Sequence, residues 1–280
     1  MPLKLLTEDN YRGASKGSVV QDGQMAHTHI ALLDIDQSPR PARCYVKLYP
    51  DKVNGREHRG IVNEMVGHVL ASLMGAPVAK DAGLITLQGH QLASLPAWAS
   101  TGSVLVGWWV RDMISPSLKI YYELNDVLIA TEAFRARLTK LRSELLASEQ
   151  INLIIALDDL IANVDRNVGN LLRVKQGEYV LIDHGLCLTS DNWIAAELDP
   201  QQRYVNTLDT LLSPESSYLP FKHATVKAHE NLVANLEPAM AALLTWLPLA
   251  VDMAEAAAIE NFVRHRASPG SVTERLELFI

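Results

Sequence analysis

Three short stretches of the chain carry most of the side chains able to do chemistry. The densest is Asn163-Val164-Asp165-Arg166-Asn167-Val168-Gly169-Asn170. It lies between an Ile- and Leu-rich run at 151–163, which reads as a helix, and a short apolar run from Asn170 to Val174, which reads as a strand. Polar loops held between rigid elements suit catalysis. Asp165 can accept or orient the proton of an attacking hydroxyl. Asn170 offers an amide oxygen, a hard ligand suited to Mg²⁺. The same residues, taken alone, equally describe an Asx-rich turn that ends a helix.

The second stretch, Tyr179-Val180-Leu181-Ile182-Asp183-His184-Gly185, is an apolar strand ending on a carboxylate and a glycine. Lys175-Gln176-Gly177-Glu178 reads as a turn joining it to the strand before it. A tight hairpin of these two strands brings Asn170 and Asp183 together at its open end. An amide oxygen and a carboxylate there make a Mg²⁺ site for phosphate oxygens. This pairing is more specific than either stretch alone.

The third stretch, Cys44-Tyr45-Val46-Lys47-Leu48-Tyr49, is a strand with one lysine among apolar neighbours. Glu64 lies on the helix expected next. A strand lysine held by a helix glutamate presents its ammonium to α- and β-phosphates; a lysine on the solvent side of a half-exposed strand would look the same. A weaker signal is Gly13, Ala14, Ser15, Lys16, Gly17 and Ser18, a small and flexible stretch whose backbone N–H groups can face phosphate oxygens. It lacks the spacing of a Walker motif.

The elements that must position these residues fall into two groups. Strands are expected at 3–7, 19–20, 27–34, 43–49, 84–87 and 91–95, the last two joined at Gly89. A helix is expected at 56–74, with Ile61, Met65, Val69 and Leu73 along one stripe, Gly75 at its stop and Pro77 beyond. Helices follow at 126–144 and 151–163, and from residue 191 most segments read as helical, punctuated by Pro200, Pro214, Pro220, Pro238 and Pro248. The fold class is therefore α+β in two lobes: a strand-rich lobe over residues 1–100 and a helical lobe over 101–280, joined near 95–105.

Composition removes several function classes. Hydrophobic residues at 48% and charged residues at 20% give an ordinary globular balance, which excludes disorder of the whole chain. A net charge of −7 disfavours general nucleic-acid binding. Cys44 and Cys187 lie far apart, so neither a disulfide framework nor a cysteine zinc site is indicated. No apolar run reaches membrane-spanning length, since 240–253 is short and contains Pro248. The N-terminus has no signal-peptide pattern, so a cytoplasmic protein is expected. Trp108 and Trp109 are expected as packing residues, His27 and His29 as solvent-facing, and Glu64 with His68 as too few for a metal site.

The residues resemble those of the HipA-like kinases and, more distantly, the phosphatidylinositol 3- and 4-kinases, over roughly residues 10–190. The resemblance rests on Asp158 to Leu172, including Asn163-Val164-Asp165-Arg166-Asn167-Val168-Gly169-Asn170, on Leu181-Ile182-Asp183-His184-Gly185, and on Asn63-Glu64 with the Leu73 to Val78 exit of the helix. It implies a two-lobed protein-kinase-like fold and an ATP- and Mg²⁺-dependent kinase acting on Ser/Thr of a protein. By the same resemblance Asp165 is the catalytic aspartate, and Asn170 and Asp183 hold Mg²⁺. Lys47, paired with Glu64, binds ATP phosphates, which the stretch from Gly13 to Ser18 covers. Ser15 and Ser18 are candidates for self-phosphorylation, and an antitoxin-like regulatory partner is among those the resemblance implies. One departure stands out: the family's histidine after Asp-Arg is Asn167 here, which cannot titrate near neutrality. The alternatives are a small-molecule or lipid kinase, and an ATP-binding pseudokinase acting as a regulatory module.

Overall fold

A computed structural model describes residues 3–19, 26–36, 40–124, 129 and 131–278, with the side chains of 16–19 left aside. Val20 and residues 126–128 and 130 of the expected helix lie outside the described residues. Strands β1 (Lys4–Leu6), β2 (Tyr11–Val19), β3 (His27–Leu33) and β4 (Ala42–Leu48) come first. The stretch from Gly13 to Ser18, expected as a flexible loop, lies within β2. β2 is an irregular edge strand: Ala14 pairs with Ala31 and Val19 with His29, so five residue steps on β2 run against two on β3. Such a bulged edge is compatible with small residues of low strand propensity, which is why composition read it as a loop.

A two-strand hairpin, β5 (Lys52–Val53) and β6 (Arg56–Glu57), then takes the first residues of the expected helix. Its turn is Asn54-Gly55, both with positive φ (52° and 79°), the pairing that a tight hairpin turn demands. Helix α1 (Gly60–Met74) follows and ends on Gly75 at φ 92°. It is buried on nearly every side, with Val62, Val66 and Leu70 as well as Met65 and Val69 inaccessible, so the single expected stripe underestimates it.

β7 (Ala82–Gln88) pairs not with residues 91–95 but with β8 (Val104–Arg111). Gly89–Gln91 forms one 3₁₀ turn, and Leu92 packs on a face of the sheet. Among the described residues the sheet has six strands in the order β1-β7-β8-β4-β3-β2. It therefore continues to Arg111, past the limit expected at residue 100. β8 is hard to read because it is apolar on both faces: Trp108 enters one core and Trp109 the other, while Val104 and Val106 are exposed, so alternation of residue type is lost.

The remainder is helical around one hairpin: α2 (Leu118–Tyr121), α3 (Glu132–Leu146), α4 (Ile151–Leu160), β9 (Leu171–Lys175), β10 (Glu178–Leu181), α5 (Thr207–Leu212), α6 (Leu219–Val233), α7 (Leu236–Trp246), α8 (Met253–Arg266) and α9 (Ser271–Arg275). A large core runs from Leu84 and Trp108 of the sheet through α1 into α4, α7 and α8. A smaller one covers the opposite sheet face with Cys44, Val46, Leu48, Ile85 and Trp109. No single described helix is long and apolar enough to cross a membrane.

Burial overturns one expectation. His29 is only 4% exposed, with Nε2 3.2 Å from the Tyr11 hydroxyl, and His27 is half-buried. Burial pushes His29 down to about 4, and does the same to His68 and His229. Each is held neutral in the fold and titrates near 6.5 when unfolded. Between about pH 4 and 6.5 the unfolded chain binds more protons, so stability falls as pH falls through that window. Thermal melting at pH 5 is expected about 5 °C or more below melting at pH 7; equal midpoints would contradict the burial of these imidazoles.

Candidate active site

The alternation of β4 sends Cys44, Val46 and Leu48 into the smaller core and Tyr45 and Lys47 to the opposite face. That face looks onto a cavity of about 280 Å³ between the sheet and the β9–β10 hairpin. Lys47 lies opposite Thr28 on β3 and Trp108 on β8. Its Nζ is 2.5 Å from Glu64 Oε1 and 2.8 Å from Asp183 Oδ1. The lysine is therefore 13% exposed and doubly paired, rather than solvated.

Electrostatics follow from that geometry. Burial would lower the Lys47 ammonium, but Asp183 and Glu64 outweigh it and hold it above its usual value. Burial raises Asp183, but Lys47, with help from the Gly185 N–H and Arg166, outweighs it and holds this carboxyl below its usual value, so it stays ionised. Glu64, 1% exposed, is pushed up by desolvation in spite of Lys47. The Tyr49 hydroxyl donates to Glu64 Oε1 (3.3 Å) and the His184 backbone N–H to Glu64 Oε2 (3.0 Å), so both carboxylate oxygens are used.

The hairpin forms as expected, with Leu181 opposite Leu171 and the Ile182 N–H donating to the Asn170 carbonyl (3.1 Å). This brings Asn170 and Asp183 to its mouth. Asp183 has φ 60°, a left-handed conformation that Asp tolerates better than most residues. Asn170 Nδ2 donates to the Asp165 carbonyl (2.9 Å), which leaves its amide oxygen for a ligand. Asp183, with a 39% exposed side chain, spends Oδ1 on Lys47 and has Oδ2 to offer. Two hard oxygens of this kind fit Mg²⁺. No group of three or more His, Cys, Asp or Glu among the described residues can hold a metal. Phosphate and water oxygens must therefore complete any shell.

Asp165 is half-buried at the tip of its loop. The Asn167 amide Nδ2 lies 3.3 Å from both of its carboxylate oxygens, and Asn167 Oδ1 accepts from the Gly169 N–H (2.8 Å). Asn167 thus caps the following turn and faces Asp165 at once. A Cβ on Gly169 would sit 2.8 Å from that oxygen, so glycine makes room for the asparagine.

Several residues of the site escape the sequence. Arg166 is fully buried and ion-paired with Asp158. Its Nη1 donates to the Ile182 carbonyl (2.5 Å) and its Nη2 to His184 Nδ1 (3.0 Å), tying the loop to the hairpin. The cavity is also lined by Tyr45, Val110, Met113, Leu172 and Ile182, apolar groups that only the third dimension gathers. Gly67 marks where α1 touches His184. The side chains of Lys16, Gly17 and Ser18 lie outside the described residues, so the structure does not place that stretch over the cavity.

No protein-family model matches the sequence, and no curated protein matches it. Among solved structures the chain is similar to the Helicobacter pylori proinflammatory kinase CtkA, with a TM-score of 0.56, 12% identity and 99% of each chain covered. At that identity the likeness is one of fold, and the chain has a two-lobed, kinase-like α+β fold.

Proposed function

We propose that the chain is an ATP-dependent phosphotransferase of HipA-like type that moves the γ-phosphate to a Ser/Thr hydroxyl of a protein. The observation that carries this reading is Lys47 Nζ bridging Glu64 and Asp183 inside the interlobe cavity. In the reaction Lys47, oriented by Glu64, binds the α- and β-phosphates as a buried cation. Leu172, Ile182, Tyr45 and Val110 offer apolar surface for the base. Mg²⁺, held by Asn170 and Asp183, would neutralise charge on the transferring group. Asp165 orients the acceptor hydroxyl and takes its proton, so the leaving ADP and the new phosphoester balance the step.

The fold likeness to a kinase supports the general activity; the protein acceptor rests on resemblance of the loop and hairpin residues. The test is transfer of label from γ-labelled ATP to Ser/Thr peptides, lipids and small alcohols. Wild-type chain is expected to label peptide, and Asp165→Ala to lose about a hundredfold or more. Equal turnover in both proteins would sink the assignment, and labelling confined to lipid or a small alcohol would reassign the acceptor. A second reading, a nucleotide-binding pseudokinase, is motivated by Asn167. It expects ATP to raise Tm with no Asp165-dependent transfer.

A further inference from the structure

The segment after Asp183 is held onto α1 by one asparagine. Asn63 has no solvent exposure, yet both of its side-chain polar atoms are paired. Its Nδ2 donates to the Gly185 carbonyl (2.8 Å) and to the Ser190 carbonyl (2.8 Å). Its Oδ1 accepts from the Trp193 indole Nε1 (2.9 Å), and its backbone carbonyl accepts from Cys187 Sγ (3.1 Å). Four residues of the segment from 185 to 193 thus converge on the residue next to Glu64.

The surroundings reinforce the contact. The Arg59 N–H donates to the Asp191 carbonyl (2.6 Å), and the Arg59 guanidinium lies 5.0 Å over the Trp193 ring. On the other side, the Leu188 and Thr189 N–H groups donate to the carbonyls of Ile161 and Ala162. The segment is therefore sandwiched between α1 and the residues that precede the Asp165 loop.

We propose that Asn63 is a positioning residue that locks 185–193 to α1, and so keeps Lys47, Glu64 and Asp183 assembled. The activity part rests on the phosphotransferase reading above; the lock itself does not. An amide is required because two donors and one acceptor must come from one short side chain. Aspartate, of the same shape, offers no donors and would place a carboxylate against two carbonyls.

The experiment compares wild type, Asn63→Asp, Asn63→Leu and Trp193→Phe, each co-expressed with a phosphatase and checked by intact mass. Hydrogen exchange of peptides spanning 185–193 is read first, then kcat and KM for ATP. The lock predicts exchange about tenfold faster or more in Asn63→Asp, and a smaller rise in Trp193→Phe, which loses one bond and keeps the ring. It predicts that kcat falls more than KM rises in these variants. Trp193→Phe remains informative where an Asn63 variant fails to fold. Unchanged exchange across 185–193 in every folded variant would overturn the lock. Absence of transfer in all proteins, with the exchange pattern intact, would remove the phosphotransferase reading and leave the lock standing.

Discussion

Asp183→Asn is expected to lower phosphate transfer on the order of 10³-fold while leaving the fold in place. Asparagine tolerates the left-handed φ of 60° that Asp183 adopts, so the backbone has no reason to move. What changes is charge. Asp183 is the partner that, with Glu64, raises the Lys47 ammonium above its usual value. It is also the anionic half of the oxygen pair at the hairpin mouth. A neutral amide still reaches Lys47 but no longer draws a cation to the cavity. The measurement is steady-state transfer beside a melting curve of the apo protein. A variant that keeps within tenfold of wild-type rate would show that Asp183 is no ligand in the reaction.

Gly67→Ala has the second large effect, and its origin is steric. A Cβ at Gly67 would lie 2.4 Å from Cβ and 2.5 Å from Cγ of His184. The His184 Cβ is fixed by the backbone of the hairpin exit, so a change of rotamer gives no relief. Either α1 or the Asp183–Gly185 turn must shift. Glu64, one turn earlier on α1, accepts from the His184 N–H at 3.0 Å and holds Lys47, so any shift separates the ion pairs. Alanine favours a helix by about 1 kcal/mol over glycine. Overpacking of a close contact costs about 1–3 kcal/mol. The expected result is a net loss of Tm together with a fall of at least tenfold in transfer, from the dependence of rate on the geometry of reacting groups. Gly102→Ala, where a Cβ would meet nothing within 4 Å, is the control and should change neither. A Gly67→Ala protein with normal Tm and normal rate would contradict the close packing of α1 on His184.

Much of the site was legible because its chemistry is local. The hairpin from Leu171 to Leu181 announces itself by two short apolar runs around a glycine turn, and its register then sets Asn170 opposite Ile182, the residue before Asp183. Lys47 stands out as a lone charge in an apolar strand, and strand alternation assigns it the cleft face once the opposite core is known. The less legible parts depend on contacts distant in sequence. Arg166 reads as a polar loop residue until Asp158, Ile182 and His184 surround it. Asn63 reads as an ordinary helix residue until Gly185, Ser190 and Trp193 converge on it. The edge strand β2 was hidden by its small residues, and β8 by apolar residues on both of its faces. The hairpin at Asn54-Gly55 carried a clear turn signal that the apolar periodicity of α1 overran.

Asn167 shows what a departure from a pattern can mean physically. Its amide reaches both oxygens of Asp165 and its own oxygen caps the next turn. An amide that does not titrate near neutrality thus holds the loop shape beside Asp165.

The most direct measurement of the central claim is a crystal structure with Mg²⁺ and a non-hydrolysable ATP analogue. The account predicts the base against Leu172 and Ile182, Lys47 Nζ on the α- and β-phosphates, and a metal shared by Asn170 Oδ1 and the Asp183 carboxylate. Nucleotide bound elsewhere, or a metal that touches neither residue, would contradict it.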